Sequence, residues 1–213
     1  MRVAGLILAA GLSSRMGSLK QLLPLNGKPF IAHAADLFFD AGITDVRVVL
    51  GFRAEEVQAA LAPRPVRFLH NDAYAETEMF DSVRIGLGDL INDGVDRAFL
   101  LPADMPYVPS SILPLLCARM DETGADAVFP SRNMRRLHPP LLNAACMERL
   151  YAYDGTNGLR GGFAACVRHA EYVLTDEIGC AIDVDTPDDY AKLLALSAAF
   201  NDGYGTPNGV RIE

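Results

Sequence analysis

Val3-Ala4-Gly5-Leu6-Ile7-Leu8-Ala9-Ala10-Gly11 runs without a break into Leu12-Ser13-Ser14-Arg15-Met16-Gly17-Ser18-Leu19-Lys20. The first part is apolar on both alternating faces and ends at glycine, which reads as a buried strand over Val3–Ala9. In an α/β sheet the loop after such a strand lies at the carboxyl edge, where these folds bind ligands. Ala10 and Gly11 let the backbone approach a flat group closely, and glycine opens conformations denied to other residues. Free N–H groups in such a turn cradle an anion. Arg15 and Lys20 add two positive charges, one of them able to grip phosphate in a bidentate manner. An ordinary strand-to-helix turn with two solvated cations accounts for the same residues. The stretch is neither a Walker A loop nor a G-x-G-x-x-G fingerprint.

Outward from this loop, short apolar runs alternate with helical patterns. Residues 29–41 carry apolar groups at helical spacing from Pro29 to Gly42. Strands follow at Asp45–Leu50, Val66–Leu69, Arg97–Leu101, Asp126–Phe129 and Glu171–Leu174. Helices are expected at 54–61, 81–91, 110–121, 144–152, 159–169 and 187–199. This alternation predicts a single α/β domain over residues 1–199, a three-layer fold around a mostly parallel mixed sheet. Residues 200–213, with three glycines and little apolar periodicity, read as a mobile tail that could dock on a partner.

Composition narrows the function. The 213 residues include 50% hydrophobic and 22% charged side chains, enough for one sizeable core. Net charge is -8 and no run of five basic residues occurs, which argues against a nucleic-acid surface. No stretch reaches the ~18 unbroken apolar residues of a membrane span. Cys117, Cys146, Cys166 and Cys180 are widely spaced and read as free core thiols of a cytoplasmic protein.

Two acidic segments could meet a polyphosphate. Arg97–Leu101 runs into Pro102-Ala103-Asp104-Met105-Pro106, so Asp104 is held rigidly at the strand's carboxyl end. A hard oxygen ligand there suits Mg²⁺, which takes one or two carboxylates plus phosphate oxygens and water. A turn-capping aspartate would look the same. Asp183-Val184-Asp185-Thr186-Pro187-Asp188-Asp189 precedes the last helix, with Thr186 or Asp185 as N-cap and Pro187 at the first turn. Capping does not explain Asp183 and Asp185 together, which share one side of an extended segment.

Residues 6–33, LILAAGLSSRMGSLKQLLPLNGKPFIAH, resemble the opening of the molybdenum-cofactor nucleotidylyltransferases and their wider group, which share a Rossmann-like GT-A fold. The likeness extends over most of residues 3–195. It implies that Leu8, Ala9, Ala10, Gly11 and Ser13 wrap the nucleotide while Arg15 and Lys20 hold its phosphates. Leu19 stands where relatives often have proline. Asp104 matches the family's D-x-P metal aspartate, and the D-V-D-T-P-x-D run supplies a second metal contact, with Asp185 preferred to Asp183.

The same resemblance extends to the acceptor side. Asn71 to Ser82 is similar to a family loop that closes over nucleotide and acceptor, although Thr77-Glu78 replaces the usual glycine. Ser82 would contribute a hydroxyl to phosphate or cap the helix that follows. His138-Pro139 matches a G-H-P stretch beside the acceptor, and Asp154 to Arg160 matches a motif whose Arg160 faces ligand. His138, Pro139, Arg160 and Asp183 are therefore the expected acceptor contacts.

The expected activity is Mg²⁺-dependent transfer of a nucleotidyl group from a nucleoside triphosphate to a phosphorylated acceptor. The L-A-A-G form resembles the cytidylyl-transferring branch, which implies CTP, a molybdopterin-type acceptor and a molybdoenzyme partner. Transfer to a sugar phosphate or phosphocholine is an alternative, as is a non-catalytic carrier of the finished cofactor.

Overall fold

The computed structural model describes residues 1–13 and 15–201. A central sheet is built on β1 (Val3–Ala9), flanked in parallel by β4 (Asp45–Leu50) on one side and β6 (Arg97–Pro102) on the other. β5 (Arg67–His70) extends the β4 edge in parallel. Beyond β6 the direction reverses: β9 (Leu141–Asn143) runs antiparallel to both β6 and β7 (Ala127–Arg132). β10 (Ala170–Leu174) returns parallel to β7 and closes that edge, giving the order β10-β7-β9-β6-β1-β4-β5. A two-residue strand, β8 (Arg135–Arg136), folds back on β7 through the left-handed pair Asn133 and Met134. A small separate hairpin pairs β2 (Pro24–Leu25) with β3 (Lys28–Pro29) across Asn26-Gly27, whose positive φ angles suit a two-residue turn.

Strand side chains alternate between two helical layers, so β1 is buried on both faces. Ile7 and Ala9 pack toward α1 (Phe30–Asp40), α2 (Ala54–Leu61) and α4 (Ile112–Thr123). Ala4, Leu6 and Leu8 pack toward α3 (Met79–Asn92), α5 (Ala144–Tyr151) and α6 (Gly158–Cys166). Gly5 is required by close approach: a Cβ there would sit 2.6 Å from the Phe38 ring. A smaller cluster of Leu25, Phe30, Val184 and Leu193 fastens α7 (Pro187–Asn201) over the loop side of the sheet. This is the expected three-layer fold, and every expected strand and helix is present with ends shifted by a few residues.

The differences are local. Leu141–Asn143 pairs as a strand, which its shortness hides in the sequence. α3 begins at Met79 rather than 81, because the Asp81 carboxylate accepts from the Glu78 N–H and closes the first turn ahead of it. Ser82 therefore lies inside the helix and does not cap it. α7 continues to Asn201, and the remainder of the expected tail lies outside the described residues. Among the described residues no helix is long and apolar enough to cross a membrane. All four cysteines are free, and Cys146, Cys166 and Cys180 are buried.

Candidate active site

The carboxyl ends of β1 and β6 and the segment after β5 meet the first loop in one cavity of about 260 Å³, with the end of β4 just outside it. Backbone bonds lock these ends together: Ala103 N donates to Leu8 O at 3.0 Å, and Asn71 N donates to Leu50 O at 2.8 Å. Gly51 lets the end of β4 slide under the loop, since a Cβ there would lie 2.7 Å from the Ala10 carbonyl oxygen. Val184 N donates to Asp104 O at 3.2 Å, which ties the two acidic segments to each other across 80 residues of chain.

Four charged side chains converge there. Lys20 Nζ lies 2.7 Å from Asp104 Oδ2 and 2.8 Å from Asp185 Oδ1. Arg15 Nη1 lies 2.9 Å from Asp185 Oδ2. Burial opposes the charge on Lys20, but Asp104 and Asp185 outweigh it and hold the ammonium above the usual lysine pKa. The hydrogen bond from Lys20 is the main reason that the Asp185 carboxyl stays below its ordinary range, with Arg15 adding to it. Thr186 rather than Asp185 caps α7: its hydroxyl oxygen accepts from Asp189 N, and Asp189 Oδ2 accepts from Thr186 N. That leaves Asp185 to face the cations. Val184 is fully buried between the two aspartates, which leaves Asp183 exposed and Asp185 half-buried on the opposite side of the segment.

Leu8, Ala10, Gly11, Ser13, Arg15, Lys20, Asn71, Ser82, Asp104 and Asp185 all line this cavity. Ala9 does not: its methyl is fully buried in the α1 layer, and only its carbonyl turns toward the loop. That carbonyl accepts a hydrogen bond from Gln21 Nε2 at 3.1 Å. The same amide nitrogen lies 3.4 Å from Gly11 O, and Ser13 Oγ lies 3.3 Å from Gln21 Oε1. Lys20 N in turn donates to Ser13 Oγ at 3.1 Å. Gln21 is a buried polar residue that stitches the loop to the strand, and sequence reasoning passed over it. A glutamine at one turn of a short helix, Lys20–Leu22, carries no motif signal.

Across the cavity, Asn71 and Ser82 are both buried. Asn71 Nδ2 donates to Thr77 Oγ1 and to Ser82 Oγ, each at 3.0 Å. The Thr77 hydroxyl already gives its proton to Ala73 O, so it must accept from Asn71, which fixes the amide's orientation.

A second cavity of about 730 Å³ lies against the first and shares Leu8, Met79 and Pro102 with it. His138 and Arg160 line it, as do Arg135, Arg136, Phe129 and Phe163. His138 is fixed by its backbone N–H on Cys180 O, and its buried Nδ1 has no partner among the described residues. Burial lowers the His138 pKa against the pull of Asp104 and Asp183, leaving a neutral imidazole near pH 7. Pro139 is buried and Asp183 lies nearer in charge than in contact; neither lines this cavity.

Two carboxylates within hydrogen-bond reach of a single ammonium could hold a divalent cation in its place. The described residues hold no cluster of three metal-ligating side chains. A two-carboxylate set nevertheless fits Mg²⁺, whose remaining positions are filled by phosphate oxygens and water.

Residues 5–172 match the family described as the MobA-like NTP transferase domain. The chain is 26% identical to the molybdenum cofactor cytidylyltransferase of Escherichia coli over 188 residues, covering 87% of this chain and 92% of that protein. It is 35% identical to bifunctional protein GlmU of Chromohalobacter salexigens over 118 residues, but the match spans only 25% of that longer protein and 54% of this chain. Rv0371c of Mycobacterium tuberculosis superposes with a TM-score of 0.76 at 26% identity, covering 92% of this chain and 98% of that one, and another structure of that protein is a complex with manganese. This chain belongs to the MobA-like NTP transferase family.

Proposed function

We propose that this chain transfers a cytidylyl group from CTP to the phosphate of a molybdopterin-type cofactor and releases pyrophosphate. The observation that carries the reading is the meeting of Asp104 and Asp185 on Lys20 inside the loop cavity. Asp104 and Asp185 are the residues that would hold Mg²⁺, which when bound neutralises nucleotide phosphate charge and orients the triphosphate. Arg15 and Lys20 then turn from the carboxylates to the phosphates and take up charge on the departing pyrophosphate. Leu8, Ala10, Gly11 and Ser13 hold the base and ribose side, with Asn71 and Ser82 opposite.

The acceptor enters from the second cavity, beside His138 and Arg160. A phosphate monoester is already ionised near neutral pH, so alignment matters more than a general base. Its oxygen forms a bond to the α-phosphorus as the bond to the bridging oxygen of pyrophosphate breaks. Neutral His138 suits a positioning role here. The Ala10 methyl supports a pyrimidine by narrowing the base site, and the Escherichia coli relative supports the same nucleotide and acceptor. A molybdoenzyme partner and a cytoplasmic setting belong to this reading, and the four free thiols agree with a reducing compartment.

Pyrophosphate release tests it directly, with Mg²⁺, either CTP or GTP, and molybdopterin, a sugar phosphate or phosphocholine as acceptor. CTP with molybdopterin should give the largest kcat/KM. Preference for GTP would sink the cytidylyl assignment, preference for another acceptor would sink the cofactor assignment, and no release with any pair would favour a carrier.

A further inference from the structure

Among the described residues, thirteen of eighteen lysines and arginines are matched to a carboxylate. Arg2, Arg15, Arg47, Arg53, Arg64, Arg67, Arg97, Arg119, Arg132 and Arg149 all lie within ion-pair distance of an aspartate or glutamate, as do Lys20, Lys28 and Lys192. Among the described residues Arg84, Arg135, Arg136, Arg160 and Arg168 have no such partner. Three of these five, Arg135, Arg136 and Arg160, line the second cavity. The chain carries a net charge of -8 and 27 acidic residues, and all three of these arginines are exposed. No aspartate, glutamate, asparagine or glutamine lines this cavity.

One of these arginines, Arg136, is also held in place. The Arg136 guanidinium lies 4.6 Å from the Phe129 ring centroid, and its Nε and Nη2 donate to Tyr172 Oη at 3.1 and 3.0 Å. Arg135 and Arg136 form the short strand β8, pinned to β7. Phe129 and Phe163 meet edge to face at 5.3 Å in the cavity wall. The arginines are absent from the walls of the nucleotide cavity, where Lys20, Arg15, Asp104 and Asp185 already balance one another.

We infer that the acceptor carries two anionic ends: one phosphate that reacts beside Asp104, and a second anionic group bound by Arg135, Arg136 and Arg160. The inference rests on the second cavity being the acceptor site, and it adds a requirement that a phosphate alone does not meet. Arginine suits this task because its planar fork binds oxyanions in pairs and stacks on aromatic faces.

Calorimetric titration in the absence of nucleotide separates this from the choice of reaction. The probes are 1-naphthyl phosphate, with one anionic end, and naphthalene-1,5-diyl bisphosphate, with two. The bisphosphate should bind the wild-type protein at least about tenfold more tightly, a gap of roughly 1.4 kcal/mol. Arg135→Gln/Arg136→Gln should erase that preference, while Arg84→Gln, at an equally unpaired arginine elsewhere, should keep it. The unfolding midpoint of the double variant checks that it folds; if it does not, Arg160→Gln alone provides the same reading. Equal binding of the two probes, no measurable binding of the bisphosphate, or a preference that survives the double variant overturns the inference. Failure of molybdopterin as acceptor with the bisphosphate preference intact would instead overturn only the proposed acceptor.

Discussion

The two cavities share a wall of Leu8, Met79 and Pro102 yet handle charge in opposite ways. In the nucleotide cavity two cations and two carboxylates neutralise one another at 2.7 to 2.9 Å. In the neighbouring cavity three arginines have no carboxylate within ion-pair distance among the described residues. Balanced charge suits a site whose ligand brings both signs, a triphosphate together with its metal, because each incoming charge exchanges for one already present. Unbalanced charge suits a ligand that brings anions only. The difference also separates what folding requires from what binding requires, since paired groups contribute to stability before any ligand arrives.

Asp104→Asn strikes the balanced site hardest. Removing a charged ligand from a two-carboxylate set should lower kcat by roughly 10³-fold, with the unfolding midpoint little changed. Steady-state pyrophosphate release measures it, and a loss below tenfold would mean that Asp104 is only a turn residue. Lys20→Met sharpens the comparison. Turnover should fall about 10²-fold, but Mn²⁺ binding without nucleotide should tighten, because the ammonium no longer competes for Asp104 and Asp185. Weaker Mn²⁺ binding in that variant would contradict the exchange of charges.

Gln21→Ala tests the scaffold rather than the charges. Loss of its hydrogen bonds to Ala9 and Gly11 should raise the KM for CTP about tenfold, with kcat nearly constant, since each bond contributes roughly 1 kcal/mol. A fall in kcat at unchanged KM would assign Gln21 a different role.

The smallest effect on catalysis is expected where paired charge serves the fold alone. Asp36 accepts from Arg64 and Lys28, and chiefly the Arg64 bond lowers its carboxyl from 3.8 to about 2. A depressed carboxyl stabilises the fold above its unfolded pKa and loses that contribution as pH falls through about 2. Asp36→Asn should therefore cost about 2 kcal/mol at pH 7 and progressively less below pH 4, with activity per folded molecule unchanged. Urea unfolding of both proteins across that range checks the sign.

Most of the layered fold is legible in the chain because each strand and helix carries its own period. The first loop and the Asp104 turn are equally plain, since each follows a long buried strand. What escapes is structure made by partners distant in sequence. Leu141–Asn143 becomes a strand only because β6 and β7 stand on either side of it. The hairpin at Asn26-Gly27 escapes as well, because its flanking strands are only two residues each. Ser82 looked like a cap because the Glu78–Asp81 closure lies just upstream of it. Gln21, Arg135 and Arg136 have no spacing to betray them, whereas Arg160 stood in a motif. Their meaning is a matter of which neighbours they have, or lack.

Crystals grown with Mn²⁺ and a CTP analogue whose α–β phosphate bridge cannot be cleaved would locate the metal by its anomalous scattering. The predicted density lies between the Asp104 and Asp185 carboxylates, with the Lys20 ammonium withdrawn onto the phosphates. Mn²⁺ bound elsewhere, with Lys20 still joined to both aspartates, would contradict the account.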